Sequence, residues 1–208
     1  MSHPVPVSPE ALSELLSELI VGRNETRLRV AIDGADAADP GRLADSLVVP
    51  LRAAGFAVAR VHANDFLRGA SVRFEYGKTD PDSFYDLWLD ANGLTREVLT
   101  PWGVGGRYLP ALWDAVTDRA VRAAYEPVPA RGVLLVDGPL LLGRGLPFDL
   151  AVHVRLSGGA LRRRTSPDEA WTLPAFERYE DEVDPTALAD VVIRADDARH
   201  PAVLVRGG

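Results

Sequence analysis

Asp39, Pro40 and Gly41 fall where a strand–turn–helix unit can carry phosphate chemistry. They close a turn that opens at Gly34, and the working pattern for such a turn is G-x-x-x-x-G-K-[ST]. There, backbone N–H groups and the lysine surround the phosphates and the hydroxyl holds Mg²⁺. Counted from Gly34, Asp39 takes the place of the second glycine, Pro40 that of the lysine and Gly41 that of the hydroxyl. Each change works against an anion. Asp39 adds a negative charge, and Pro40 has no N–H to donate. Two like charges about 4 Å apart repel by roughly 4 kcal/mol at an effective dielectric of about 20, which matches the whole binding energy of a millimolar ligand, about 4 kcal/mol. Asp33 and Asp36 flank the turn with further acid, and Ala37 and Ala38 leave less room than glycines for a phosphate to reach the backbone. Arg42 is the nearest replacement for the missing lysine, but two positions along a helix it points to a different face.

The elements around the turn are those of an alternating chain. Leu28, Val30 and Ile32 make a strand before Gly34, and Leu43, Ala44, Leu47 and Val48 fall on one helix face after it. Ser8-Pro9 starts an N-terminal helix with its apolar stripe at Leu12, Leu15, Leu16, Leu19 and Ile20, and Gly22 ends it. A second strand, AVARVHAND, stops at Asn64-Asp65-Phe66, and a loop follows through Arg68, Arg73 and Lys78. Asp80-Pro81-Asp82 opens a helix with Phe84, Leu87 and Trp88 on its buried face. Thr100–Tyr108 is expected as loop and Leu109–Tyr125 as helix. Gly132–Asp137 is a continuous apolar run closed by an acid, as a fully buried parallel strand requires. LAVHVRL and ADVVIRA add strands, AVLVR adds one at the edge, and Pro167–Glu182 is helical with an interruption at Pro174. This alternation implies an α/β fold, a doubly wound and mostly parallel sheet with helices on both faces.

Composition narrows the functions available. The net charge of −7 argues against a nucleic-acid partner. With no cysteine, disulfides and thiolate metal sites are excluded, and the four histidines show no paired spacing for zinc. No basic region followed by an apolar core opens the chain and no apolar run is long enough for a bilayer, so the expectation is a cytoplasmic protein without a membrane partner.

Four segments carry a resemblance. VAIDGADAADPGRLAD, VHANDF, GVLLVDGPLLL and RYEDEVDPTALADVVI resemble, in order and spacing, the strand–loop–helix, the strand ending in an aspartate, the acid-terminated strand and the C-terminal run of the uridine kinase family of P-loop small-molecule kinases, especially its actinobacterial uridine kinase-like members. The match spans about residues 28 to 195. It implies a P-loop NTPase-like fold in one domain over residues 1–208, with an N-terminal helix over 1–24 and a small lid over about 157–170. It also implies ATP and Mg²⁺ as cofactors, a nucleoside or similar small molecule as ligand, and transfer of the γ-phosphoryl to a hydroxyl.

In that scheme Asp65 is the catalytic base. Asp137 orients the metal through water, and Arg162, Arg163 and Arg164 close over the phosphates beside Gly34, Asp39, Pro40, Gly41 and Arg42. Asp90, Arg107 and Tyr108, with Trp113, fall in substrate-contacting regions. The substitutions in the turn predict that transfer is weak or lost, leaving a ligand-binding or regulatory protein that acts alone, as a homo-oligomer or through a protein partner. The alternative is an active kinase in which Asp65 is the base and the lid arginines compensate.

Overall fold

The computed structural model describes residues 4–206; residues 1–3 and 207–208, which the expected domain bounds include, lie outside the described residues. The main sheet has seven strands: β1 (Val5–Pro6), β2 (Arg27–Asp33), β3 (Ala57–His62), β4 (Gly132–Gly138), β5 (Leu150–Arg155), β6 (Val191–Arg194) and β7 (Ala202–Val205). They lie in the order β1-β7-β6-β5-β2-β4-β3. The five from β6 to β3 are parallel, and β7 and β1 add antiparallel strands at one side. AVLVR is therefore not the outermost strand, since β1 covers it.

Burial explains the order. All seven residues of β4 are buried, as their unbroken apolar run demands of a strand covered on both faces. One face packs on α1 (Pro9–Gly22) and α2 (Pro40–Ala53) through Leu16, Ile20, Leu47 and Leu51. Ser8 caps α1 by accepting from the Ala11 N–H at 3.2 Å. Gly22 does not stop this helix by its conformation; the left-handed residue beyond it is Asn24. The other face is covered by the helical stretch from Ala91 to Val104 and by the helix Leu173–Val183.

That stretch corrects two expectations. Thr100–Val104 is helix rather than loop, because Trp102 is fully buried and packs edge-on to Tyr108 at 5.3 Å. Leu109–Tyr125 is not a helix. It holds two-residue strands at Trp113–Asp114 and Arg119–Ala120, and Arg107–Tyr108 pairs with Glu126–Pro127. Asp114 accepts from the N–H groups of Val116 and Thr117 and Asp118 adopts positive φ, so short polar side chains outcompete the helix there, and Arg122 at positive φ interrupts it again. The expected loop through Arg73 contains one helical turn, Ala70–Arg73.

The remaining helices are α3 (Pro81–Asp86), α4 (Ala91–Leu94, continuing through Val104), α5 (Gly158–Arg164), α6 (Leu173–Val183) and the short α7 (Pro185–Leu188). In α3 the most buried ring is Tyr85; Trp88 lies just past the helix end. Pro174 starts α6 rather than interrupting a longer helix, and Pro167–Thr172 before it is a 3₁₀ turn. Among the described residues no helix is long and apolar enough to cross a membrane.

Truncation of Trp102 to Ala should destabilise the fold by about 3–5 kcal/mol, while Trp102→Phe should cost less. Urea unfolding midpoints of the two variants measure this; an unchanged midpoint for Trp102→Ala would mean that the 100–104 segment is not packed as a helix.

Candidate functional site

The parallel ladder sets two carboxylate–imidazole pairs at the C-terminal ends of the strands. His62 and Asp137 are register partners across β3 and β4, and Asp33 and His153 are register partners across β2 and β5. Asp137 also lies beside Ile32, and Asp33 beside Gly138, so alternation along the strands sends the two pairs to opposite faces of the sheet.

Asp137 is 4% exposed and both of its oxygens are engaged. Arg60 Nη2 donates to Oδ1 at 2.5 Å, and His62 Nδ1 lies 2.7 Å from Oδ2. Arg60 also pairs with Asp45 and donates to the Gly41 carbonyl at 3.3 Å, tying the acid to the start of α2. The hydrogen bond to Asp137 raises the His62 imidazole above its ordinary value against the opposing effect of burial. Asp65 lies in the turn directly after β3 and is half-buried. Desolvation raises its carboxyl, His62 pulls it back down, and Asp137 pushes it up. A cavity of about 230 Å³ joins Asp36, Asp39, Gly41, His62 and Asp137.

On the other face Asp33 is fully buried, accepting from the Leu141 N–H at 2.8 Å and meeting His153 Nδ1 at 2.6 Å. It therefore does not add charge to the turn, as the sequence suggested; His153 neutralises it within the protein. The other nitrogen of His153, Nε2, has no hydrogen-bond partner and lies 3.7 Å from Glu180. Desolvation would lower this imidazole, but the hydrogen bond to Asp33 and the nearby Glu180 carboxylate raise it to about 9.

The turn from Gly34 to Gly41 closes on itself. Gly34 donates to the Gly138 carbonyl at 3.1 Å, and a side chain there would meet the Val154 carbonyl at 2.8 Å, so only glycine lets the turn start against β5. Asp36–Ala38 is a 3₁₀ turn in which the Ala38 and Asp39 N–H groups donate to Ala35 and Asp36. Asp39 is left-handed, with φ 55° and ψ 56°, a conformation that aspartate tolerates better than most residues. Its carboxylate accepts from the Arg42 N–H at 3.1 Å. With Pro40 lacking an N–H, Gly41 alone in the run 38–42 is outside these bonds. The start of α2 thus meets a carboxylate supplied by the chain itself.

This arrangement does not fit a triphosphate with its Mg²⁺. The Ala38, Asp39 and Arg42 amides are engaged within the turn, and the acid at the end of β4 is held by an arginine and a histidine. Among the described residues no group of three or more His, Asp or Glu is arranged to hold a metal ion.

The remaining residues singled out from the sequence disperse. Arg164 reaches a cavity of about 210 Å³ shared with Ala38, Asp39 and Arg42, and donates to the Asp196 carbonyl at 3.0 Å. Arg162 is paired with Glu177 at 2.8 Å, and Arg163 is exposed. Asp90 caps α4 by accepting from the Gly93 N–H at 2.9 Å. Arg107 donates to the Tyr125 carbonyl, and Tyr108, its hydroxyl raised by burial, donates to Glu126 at 2.7 Å. Trp113 donates to Asp118 at 3.1 Å. These four are engaged in holding their own segment together.

Sequence reasoning missed Arg60, His62, His153 and Glu180. A signal existed for the first two: Arg-Val-His puts both basic side chains on one face of β3, the arrangement that a neighbouring strand's acid would meet.

No protein-family model matches the chain, and no curated protein matches its sequence. The fold has solved counterparts. A possible uridine kinase from Bacillus stearothermophilus superposes with a TM-score of 0.70 at 21% identity, covering 86% of this chain and 96% of that one. A candidate fructose transport system kinase from Silicibacter sp. TM1040 gives a TM-score of 0.63 at 21% identity, over 83% and 95% of the two chains. The chain has the α/β, P-loop NTPase-like fold of these structures.

The Asp33–His153 pair makes stability depend on pH. The folded imidazole titrates at about 9 rather than at its ordinary 6.5, so its contribution is complete below about 6.5 and is lost as pH rises through about 9. Urea midpoints should fall between pH 7 and pH 10 more steeply for the unaltered protein than for Asp33→Asn. Equal slopes would place the two groups outside one coupled unit.

Proposed function

We propose that this chain is a uridine kinase-like protein whose phosphate turn no longer grips ATP, so that phosphoryl transfer is weak or lost and the scaffold serves as a ligand-binding or regulatory pseudo-kinase. The observation that carries this reading is the self-closed turn, with Asp39 on the N-terminus of α2 and the Ala38 and Asp39 amides bonded within the turn. The likeness to a possible uridine kinase supports a small-molecule ligand, and the engagement of Asp137 by Arg60 and His62 supports the loss of the metal.

A second reading keeps catalysis. Asp65, half-buried beside His62 and Asp137, would take the proton of an acceptor hydroxyl, and Arg164 and Arg42, which share a cavity, would hold the phosphates. Its mark would be an ATP-dependent phosphorylation of a nucleoside that Asp65→Asn abolishes.

Titration calorimetry separates the two. The unaltered protein should give no heat with millimolar Mg·ATP, whereas the combined change Asp39→Gly, Pro40→Lys and Gly41→Ser should bind it measurably. Robust phosphorylation of a nucleoside by the unaltered protein would defeat the pseudo-kinase reading. A triple variant that binds no better would show that the turn was not the limiting defect.

A further inference from the structure

A cavity of about 270 Å³ lies beside the turn, between the Ala35–Ala37 backbone, the end of α3 and the segment leading into α6. Four aromatic side chains line it: Phe84, Trp88, Trp171 and Phe176. They meet edge to face rather than stacked. Phe84 lies 5.2 Å from Trp88 at 85°, 5.7 Å from Trp171 at 75° and 5.8 Å from Phe176 at 69°, while Trp88 and Trp171 are 5.5 Å apart at 50°. In such contacts the edge of one ring meets the face of another, and the Arg73 guanidinium lies over the Trp88 ring at 5.3 Å, so one ring of the box already serves as a platform for a cation.

The polar groups of this cavity are one-sided. Asp36 and Glu169 are its charged residues, and no arginine, lysine or histidine lines it. Thr165 and Thr172 also border it, but their hydroxyls donate to the Leu161 and Glu169 carbonyls. The charged side chains that line the cavity are therefore acceptors only. Asp36 feels the cost of that arrangement: desolvation first, then the charges of Glu169 and Asp137, raise its carboxyl above the usual range. A ligand with positive charge would relieve this repulsion, and an anionic one would worsen it. Aromatic faces likewise attract a cation through their quadrupole, most strongly when water is excluded.

We infer that this box binds a small organic cation of the alkylammonium type, its charge set against the rings of Trp88 and Trp171 and against the carboxylates of Asp36 and Glu169. The inference names the ligand class for the ligand-binding reading above and rests on it. Its test contains no nucleotide, so failure here and failure of the closed-turn reading are told apart.

The test uses the full chain and three probes: choline, its neutral isostere in which a tert-butyl group replaces the trimethylammonium, and cytidine. Tryptophan emission reports the box directly, since two of the four tryptophans line it. Choline should quench emission saturably and bind at least about tenfold more tightly than the isostere, the difference that a desolvated cation–π contact supplies. Asp36→Asn, a change in a solvent-touching side chain, should weaken choline several-fold and leave the isostere unaffected. Trp171→Leu should remove both the quenching and the preference for charge. Equal affinity for choline and the isostere would reduce the box to a hydrophobic pocket and overturn the proposal. So would cytidine binding more tightly than choline, or no saturable response to choline while the circular dichroism of the protein is normal.

Discussion

A helix that begins directly beyond a parallel strand leaves its first amides without partners, and something negative has to meet them. The way that demand is satisfied governs the rest of this site. At α2 the chain satisfies it internally, with the Asp39 carboxylate, in a backbone conformation that few side chains tolerate. The residue that makes the turn possible is thus the residue that fills it. With it go the tight 3₁₀ turn and the tie that Arg60 makes between the Gly41 carbonyl and Asp137.

The same logic of internal neutralisation recurs at each buried acid near the strand ends. Asp137 is met by Arg60 and His62, and Asp33 by His153. A buried charge without a partner is costly, and register supplies the partner in both cases, because adjacent parallel strands hold the two side chains at the same level. Asp149 follows suit, accepting from the Arg29 backbone N–H at 2.8 Å and from its guanidinium at 2.9 and 2.6 Å. The box lined by Asp36 and Glu169 departs from this pattern: there the acids have no basic neighbour among the lining residues.

Much of the fold was legible because its strands are short apolar runs bounded by glycine and acid. GVLLVD could be little else than a strand covered on both faces, and Ser8-Pro9 announced α1 by cap chemistry alone. The substitutions in the turn were legible too, but their geometry was not drawn from them, although Asp39-Pro40 is the same cap-and-proline signal as Ser8-Pro9 and puts the carboxylate on the Arg42 amide. The segment from Thr100 to Tyr125 was misjudged at both ends for one reason. Local composition marked Trp102 as part of a glycine-rich loop, whereas its burial against the sheet is a tertiary gain. Asp114 and Asp118 were the polar interruptions in the expected helix; Asp114 binds the amides just after it and Asp118 the distant Ala70 amide instead. The aromatic box was invisible for the same reason, since Trp88 and Trp171 meet across more than eighty positions of chain.

The outermost strand has a consequence for how copies of this protein behave beside one another. Val5–Pro6 lies along Ala202–Val205 at the margin of the sheet, and Pro6 has no amide hydrogen to offer a further strand. A margin ending in proline and only two residues long is a poor template for edge-to-edge growth. This side of the sheet is thereby guarded against fibre-like association by a residue that contributes almost nothing to the core.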